Sequence, residues 1–168
     1  MVGSPDWSRE TKSSPFEWSP YKSLLSAIRS WQANRHKRGI LAAIRWRWAA
    51  ARWRFWSVVA GISIPLRCKI GGGLWMPHTN GIVINADAVI GCNCEIFQQV
   101  TIGEGKGGCP EIGDNVSIGP GAKVLGAIKV GDGARIGANA VVVKDVPAGA
   151  LALAPAAQIL SSADRSAA

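Results

Sequence analysis

Residues 112–141 read IGDNVS-IGPGAK-VLGAIK-VGDGAR-IGANAV, consecutive hexapeptides that each open on an aliphatic residue. Glycine follows the opener at Gly113, Gly119, Gly131 and Gly137. A small or apolar residue stands four places after it, at Val116, Ala122, Ile128, Ala134 and Ala140. Outward from this stretch the same unit opens at Ile64, Ile70, Met76, Ile84, Ile90, Ile96 and Ile102, and again at Val142. Hexapeptide periodicity marks a parallel β-helix. The period is too short for helical repeats and too regular for a sandwich.

Each unit supplies one short strand and one turn. The opener and the small residue point inward, and the corner falls on glycine or asparagine, where positive φ is tolerated. Asn93, Asn115 and Asn139 occupy such corners. Three units close one triangular coil, so the repeat yields a little over four coils. Stacking buries one continuous aliphatic column that no single coil could bury alone. The expected fold class is all-β, a β-helix preceded by a short α-helical segment.

Two insertions break the count. Pro77-His78-Thr79-Asn80-Gly81 lengthens the step from Met76 to Ile84, and Gly103 to Pro110 forms a glycine-rich loop, expected to be flexible, before Ile112. Solenoid insertions map to surface loops, often on the binding face. The histidine of the repeat region lies in the first of them. The other histidine, His36, sits in a basic helix and reads as solvated.

The chain has a net charge of +8, and the charge is uneven. Residues 1–69 hold thirteen Lys and Arg against three acids, a net +10, and residues 70–168 hold six against eight, a net −2. No acid occurs between Glu17 and Asp87. Cys68 and Cys94 fall on small inward positions of the repeat and read as core residues. Cys92 and Cys94 flank Asn93, but neighbouring inward and corner positions point apart, so no metal site is expected. With no signal peptide evident, a reducing cytoplasm suits Cys68, Cys92, Cys94 and Cys109.

The chain divides into a polar, mobile N-terminus at 1–19, a basic Trp-rich helical segment at 20–62, the β-helix at 63–148 and a C-terminal tail at 149–168. Within residues 37–60, Leu41, Ile44, Trp48, Ala51, Phe55 and Val58, continued by Ile62, follow 3-4 spacing and form one apolar stripe. Arg45, Arg47, Arg52 and Arg54 flank it, and Trp46, Trp53 and Trp56 lie away from it. Two readings stay open. The stripe caps the open end of the β-helix or packs on another subunit, or it lies on a membrane surface, peripheral to the inner face. Arginines in mid-segment argue against a span. Nothing beyond the basic-aromatic mix points to nucleic acid, and none is expected as a partner.

The stretch from Ile70 to Ile84, with Ala88-Val89-Ile90-Gly91 and Phe97-Gln98-Gln99-Val100-Thr101-Ile102-Gly103, resembles the serine acetyltransferase family, above all its short forms. The resemblance continues through Ile118 to Gly126 and Ile136 to Val142 and covers roughly residues 39–160. It extends to the acetyltransferases of exopolysaccharide synthesis. It implies a left-handed β-helix, a homotrimer with active sites in the clefts between prisms, and acetyl-CoA as co-substrate. It also implies that His78 is the catalytic base. Moving acetyl from a thioester to a hydroxyl needs a base titrating near neutrality, which imidazole provides, and a donor for the oxyanion. By the same resemblance Gly103, Gly105, Gly121 and Ala138 fall where backbone meets the pantetheine arm, and Lys123 and Lys144 are candidate phosphate partners. Asn80 and Gln99 are the candidate substrate contacts.

Four positions depart from the family pattern. Ser63 replaces an Asp fifteen residues before the histidine, and Pro77 replaces another immediately before it. Gly108 and Cys109 replace an Arg-His pair after the glycine loop. Leu153-Ala154-Pro155-Ala156-Ala157 replaces the usual Gly-x-Pro-Ala-Arg/Lys ending. The long helical domain of full-length family members is reduced to about sixty residues. A zwitterionic amino acid needs an anion for its ammonium and a cation for its carboxylate, and the matched positions supply neither. A sugar hydroxyl needs neither. Serine, a sugar or polysaccharide hydroxyl, and a catalytically silent scaffold therefore all remain open. Zinc carbonic anhydrases use similar prisms but need three histidines, and the repeat region has one.

Overall fold

The computed structural model describes residues 4–14 and 16–159, so parts of the two expected termini, residues 1–3, 15 and 160–168, lie outside the described residues. Thirteen short strands, all paired in parallel, form a left-handed β-helix with three faces. The first face stacks β1 (Ile62–Ser63), β3 (Ile82–Ile84), β6 (Thr101–Gly103), β9 (Lys123–Leu125) and β12 (Val141–Val142). The second stacks β2 (Lys69–Ile70), β4 (Val89–Ile90), β7 (Glu111–Ile112) and β10 (Lys129–Val130). The third stacks β5 (Glu95–Ile96), β8 (Ser117–Ile118), β11 (Arg135–Ile136) and β13 (Leu151–Ala152). Single bridges from Trp75 to Glu95 and from Val130 to Val146 complete the outermost coils.

The prism thus has five coils rather than four and a third, and it runs past residue 148. Val146, buried four places after the opener Val142, and β13, whose Ala152 packs against the core, add the last rungs. Inside, the expected openers and small residues are buried, from Ile64, Cys68 and Ile70 through Val116, Ala122 and Ala134 to Val142. Asn93, Asn115 and Asn139 take φ of 57° at corners, and Gln99 does the same at 59°.

Helix α1 (Pro20–Asn34) begins with proline at its first position, where the missing N–H costs nothing. Helix α2 (Ile40–Ala60) is bounded by Gly39 and Gly61, the latter closing it in the left-handed conformation at φ 63°. Leu24, Leu25 and Ile28 of α1 are wholly buried and join the same core as Ile62, Ile64 and Leu74. It is therefore α1, and not the stripe on α2, that caps the prism. α2 packs on α1, and its buried positions are the small Ala42, Ala49 and Ala60.

The first coil has no coil before it, so its carbonyls would be an open edge. Side chains of the helices take the place of the missing strand. Trp53 Nε1 donates to Ile64 O at 2.7 Å, Gln32 Nε2 to Leu66 O at 3.0 Å and Cys68 O at 3.1 Å, and Arg29 to Ile70 O and Gly71 O, both at 2.6 Å.

Residues 5–10 of the N-terminal segment lie against the prism. A short 3₁₀ turn, Trp7–Arg9, lies against Gly72, where any Cβ would come within 2.6 Å of Pro5 and 2.8 Å of the Trp7 ring. Asp6 N donates to Asn93 Oδ1 at 2.7 Å, and the buried Glu10 carboxylate accepts from Leu74 N at 3.2 Å and pairs with Arg29 at 2.9 Å.

Candidate active site

Each passage from the third face to the first turns a corner, and these corners stack. Asn80 O accepts from Gln99 N at 2.9 Å, Gln98 O from Gly121 N at 2.9 Å, and Pro120 O from Asn139 N at 2.8 Å. The insertion carrying His78 heads this column, because eight residues separate the inward Met76 from the inward Ile84 where six would suffice. The surplus bulges outward, and His78 is exposed on it with no hydrogen bond to any described residue. One edge of the prism therefore collects His78, Asn80, Gln99, Gly121 and Ala138. Lys123 belongs to the same group. It projects from β9, but its Nζ donates back to Gln99 O at 2.7 Å, so it is already engaged at this corner rather than free for a phosphate.

Gly103, Gly105 and Lys144 lie elsewhere, at the corner between the first and second faces. There the glycine-rich insertion is a closed hairpin and not a loose loop. Gly105 N donates to Gly108 O at 3.0 Å, and Gly108 N returns to Gly105 O at 3.2 Å. The hairpin lies on the next coil, with Ala127 N donating to Lys106 O at 3.3 Å. Gly107 and Gly108 take φ of 86° and 137°, which only glycine adopts without strain. Lys144 is exposed two residues after β12 at the same edge. From Gly121 to Gly126 the chain crosses a whole face, on the order of 15 Å at about 3.3 Å per residue. One chain thus does not bring the two groups of candidates together.

Features beyond those read from the sequence join the histidine edge. Gln98 carries a buried amide oxygen, Oε1, with no partner among the described residues. Trp75 and Phe97 meet edge-to-face with centroids 6.4 Å apart, where the third face adjoins this corner, and Trp75 keeps 37% of its surface exposed. A shallow hollow on that face is lined by Phe97, Gly119, Gly137, Ala138 and Leu153, among others. Ser63 is exposed on β1, paired with Val83, and forms no hydrogen bond with His78.

Among the thiols, Cys68 and Cys94 are not poised for chemistry. All are free. Burial pushes Cys68 and Cys94 up to about 11, and Cys109 is raised for the same reason. Cys94 Sγ is buried and donates to Gly113 O at 3.1 Å, with Cys92 O at 3.8 Å. Among the described residues no three His, Cys, Asp or Glu side chains are grouped to hold a metal ion.

Comparison with known proteins bears out the resemblance. Residues 109–144 match the family described as bacterial transferase hexapeptide (six repeats). The serine acetyltransferase of Mycobacterium tuberculosis is 40% identical over 123 residues, covering 70% of this chain and 53% of that protein. That of Helicobacter pylori is 44% identical over 108 residues, covering 61% and 63%. Soybean serine acetyltransferase complexed with serine superposes with a TM-score of 0.65 at 34% identity, over 84% of this chain and 56% of the other. A serine acetyltransferase in complex with CoA gives 0.64 at 35% identity, over 84% and 55%. The chain thus spans little more than half of most of these proteins.

Proposed function

We propose that this hexapeptide-repeat chain, similar to serine acetyltransferases in sequence and fold, is an acetyl-CoA-dependent O-acetyltransferase with His78 as its base. The observation that carries the reading is His78 on a projecting loop at the head of a corner column whose later rungs bear Gly121 and Ala138. Imidazole accepts the proton of the acceptor hydroxyl as its oxygen attacks the thioester carbonyl carbon. The negative charge moves to the carbonyl oxygen, which needs a backbone N–H as donor. Collapse of this intermediate breaks the carbon–sulfur bond, and the imidazolium returns the proton to the departing thiolate of CoA. The donor's uncharged arm suits the part of the hollow lined by Gly119, Gly137, Ala138 and Leu153, and Lys144 is exposed at the other edge of the first face for a phosphate.

The division of the candidates between two edges supports a homotrimer, in which a neighbour's hairpin edge faces this chain's histidine edge. L-Serine is the acceptor that the relatives' names suggest. A sugar hydroxyl is the second reading, favoured by the Trp75–Phe97 pair. The exposed Trp75 and the half-buried Phe97 offer an apolar wall to a sugar ring, while Ser63, Pro77, Gly108 and Cys109 offer no charge to an amino acid. The free thiols suit a cytoplasmic setting.

The test is acetyl-CoA-dependent thiol release with L-serine and a panel of sugars, for wild type and His78→Ala. Release with either acceptor, lowered about 10²–10⁴-fold in His78→Ala, supports the base assignment and identifies the acceptor. CoA binding without release for any acceptor would leave a catalytically silent scaffold.

A further inference from the structure

α2 carries apolar surface on two opposite sides, and only one is covered. Toward α1 and the prism it turns Ala42, Ala49 and Ala60 together with Trp53 and Trp56. Away from them it exposes Leu41 at 71%, Ile44 at 57%, Trp48 at 67%, Phe55 at 57% and Val58 at 75%. At about 100° per residue these side chains share an arc of about 100°, with the exposed Arg45 along one border and the exposed Arg47 and Arg54 along the other, while Arg52 is half-buried in the cleft beside Glu10 and Lys22. The charged heads can thus reach past the apolar ridge on both sides.

Charge decides what can cover this ridge. No Asp or Glu occurs between Glu17 and Asp87, so neither helix holds a carboxylate beyond that point. Two copies packed ridge to ridge would bring arginines against arginines with nothing to neutralise them. An anionic lipid surface instead offers phosphates to the arginines on both borders and an acyl boundary to the side chains between them. No described helix is long and apolar enough to cross a membrane, so the contact is with the surface. Because α2 is already folded and held on α1, binding carries no cost of ordering the helix. We propose that α2 docks this protein on the surface of an anionic bilayer, with Ile44, Trp48 and Phe55 entering the headgroup boundary and Arg45, Arg47 and Arg54 bound to lipid phosphates. This goes beyond the proposed reaction and is independent of it.

The experiment is co-sedimentation of the full chain with vesicles of phosphatidylcholine containing about a third phosphatidylglycerol, and with vesicles of phosphatidylcholine alone. Binding to the anionic vesicles that weakens with added salt is expected. Arg47→Ala/Arg54→Ala should lower partitioning about 30-fold, since each basic residue near such a surface contributes about fivefold. Trp48→Ser/Phe55→Ser should lower it about 100-fold or more, as two buried aromatic side chains are lost. All four residues are exposed, so thermal melting reports that each variant is folded. Absence of binding by the wild type, or equal binding to neutral vesicles, overturns the proposal. So does a larger assembly that Trp48→Ser/Phe55→Ser breaks apart while no vesicle is bound.

Discussion

Replacing Arg29 by methionine should unfasten the N-terminal end of the prism. Arg29 holds the Ile70 and Gly71 carbonyls at 2.6 Å and the Glu10 carboxylate at 2.9 and 3.2 Å. The Glu10 side chain is only 6% exposed, whereas that of Arg29 is 25% exposed. Methionine fills much of the same volume but leaves a buried carboxylate with Leu74 N as its remaining partner. Removing one member of a buried pair costs about 3–5 kcal/mol, and the partial exposure of Arg29 puts this case near the lower limit, about 3 kcal/mol. For a chain of this size that lowers Tm by about 6–12 °C. Glu10→Gln in the Arg29→Met background removes the stranded charge while keeping an acceptor for Leu74 N. The double variant should therefore recover at least about 1 kcal/mol over Arg29→Met. Urea and thermal melts followed by circular dichroism read both quantities. If Arg29→Met melts with the wild type, or the double variant is less stable than Arg29→Met alone, the pair does not fasten the cap.

Trp53→Phe keeps the packing but loses the bond to Ile64 O, so it should cost about 1 kcal/mol, or about 2–4 °C in Tm. An unchanged melt would show that water replaces the indole. Cys68 and Cys94 should resist iodoacetamide in the native protein at pH 8, with titration near 11 and buried sulfurs, while Cys92 reacts sooner; peptide mass mapping reads the order, and early labelling of Cys94 would contradict it. The Lys22 ammonium at 2.9 Å, with Ser13, holds the Glu17 carboxyl down to about 2. Because the folded value is depressed, this contact stabilises fully above the ordinary carboxylate range near 4.3 and is lost as pH falls toward 2. A carboxyl NMR titration should find that midpoint, and one near 4 would show the pair broken in solution. Lys144→Ala should raise the KM for acetyl-CoA more than Lys123→Ala, whose ammonium already serves Gln99 O; the reverse order would reassign the phosphate contact.

The prism was legible because its inward positions recur at a fixed interval and are buried by the coil's own neighbours. β13 was not, since its core-facing Ala152 falls off the six-residue interval. The buried side of α2 was not legible either. Both of its sides are apolar, and the small Ala42 and Ala49 win the interior because they allow close approach to α1. The docked N-terminus left little trace in a polar segment whose contacts, Glu10 to Arg29 and Asp6 to Asn93, span long stretches of chain. At the candidate site, the histidine insertion could be counted from the sequence, and the hydrogen-bonded closure of the glycine hairpin could not. Gln99 was readable in principle. Aligning the coils sets it where Gly121 and Asn139 stand, at a corner that requires positive φ.

The stacked corners also make the prism a ruler. Successive coils are separated by the strand spacing of about 4.8 Å, so the three steps from Asn80 through Gln99 and Gly121 to Asn139 measure about 14 Å along the axis. A ligand lying on that edge meets the chain at graduations fixed by backbone hydrogen bonds rather than by side-chain choice. Duplicating one coil between His78 and Gly121 would leave every local geometry intact, yet move the marks apart by one graduation. The length of the molecule that fits would change while the chemistry at its tip stayed the same.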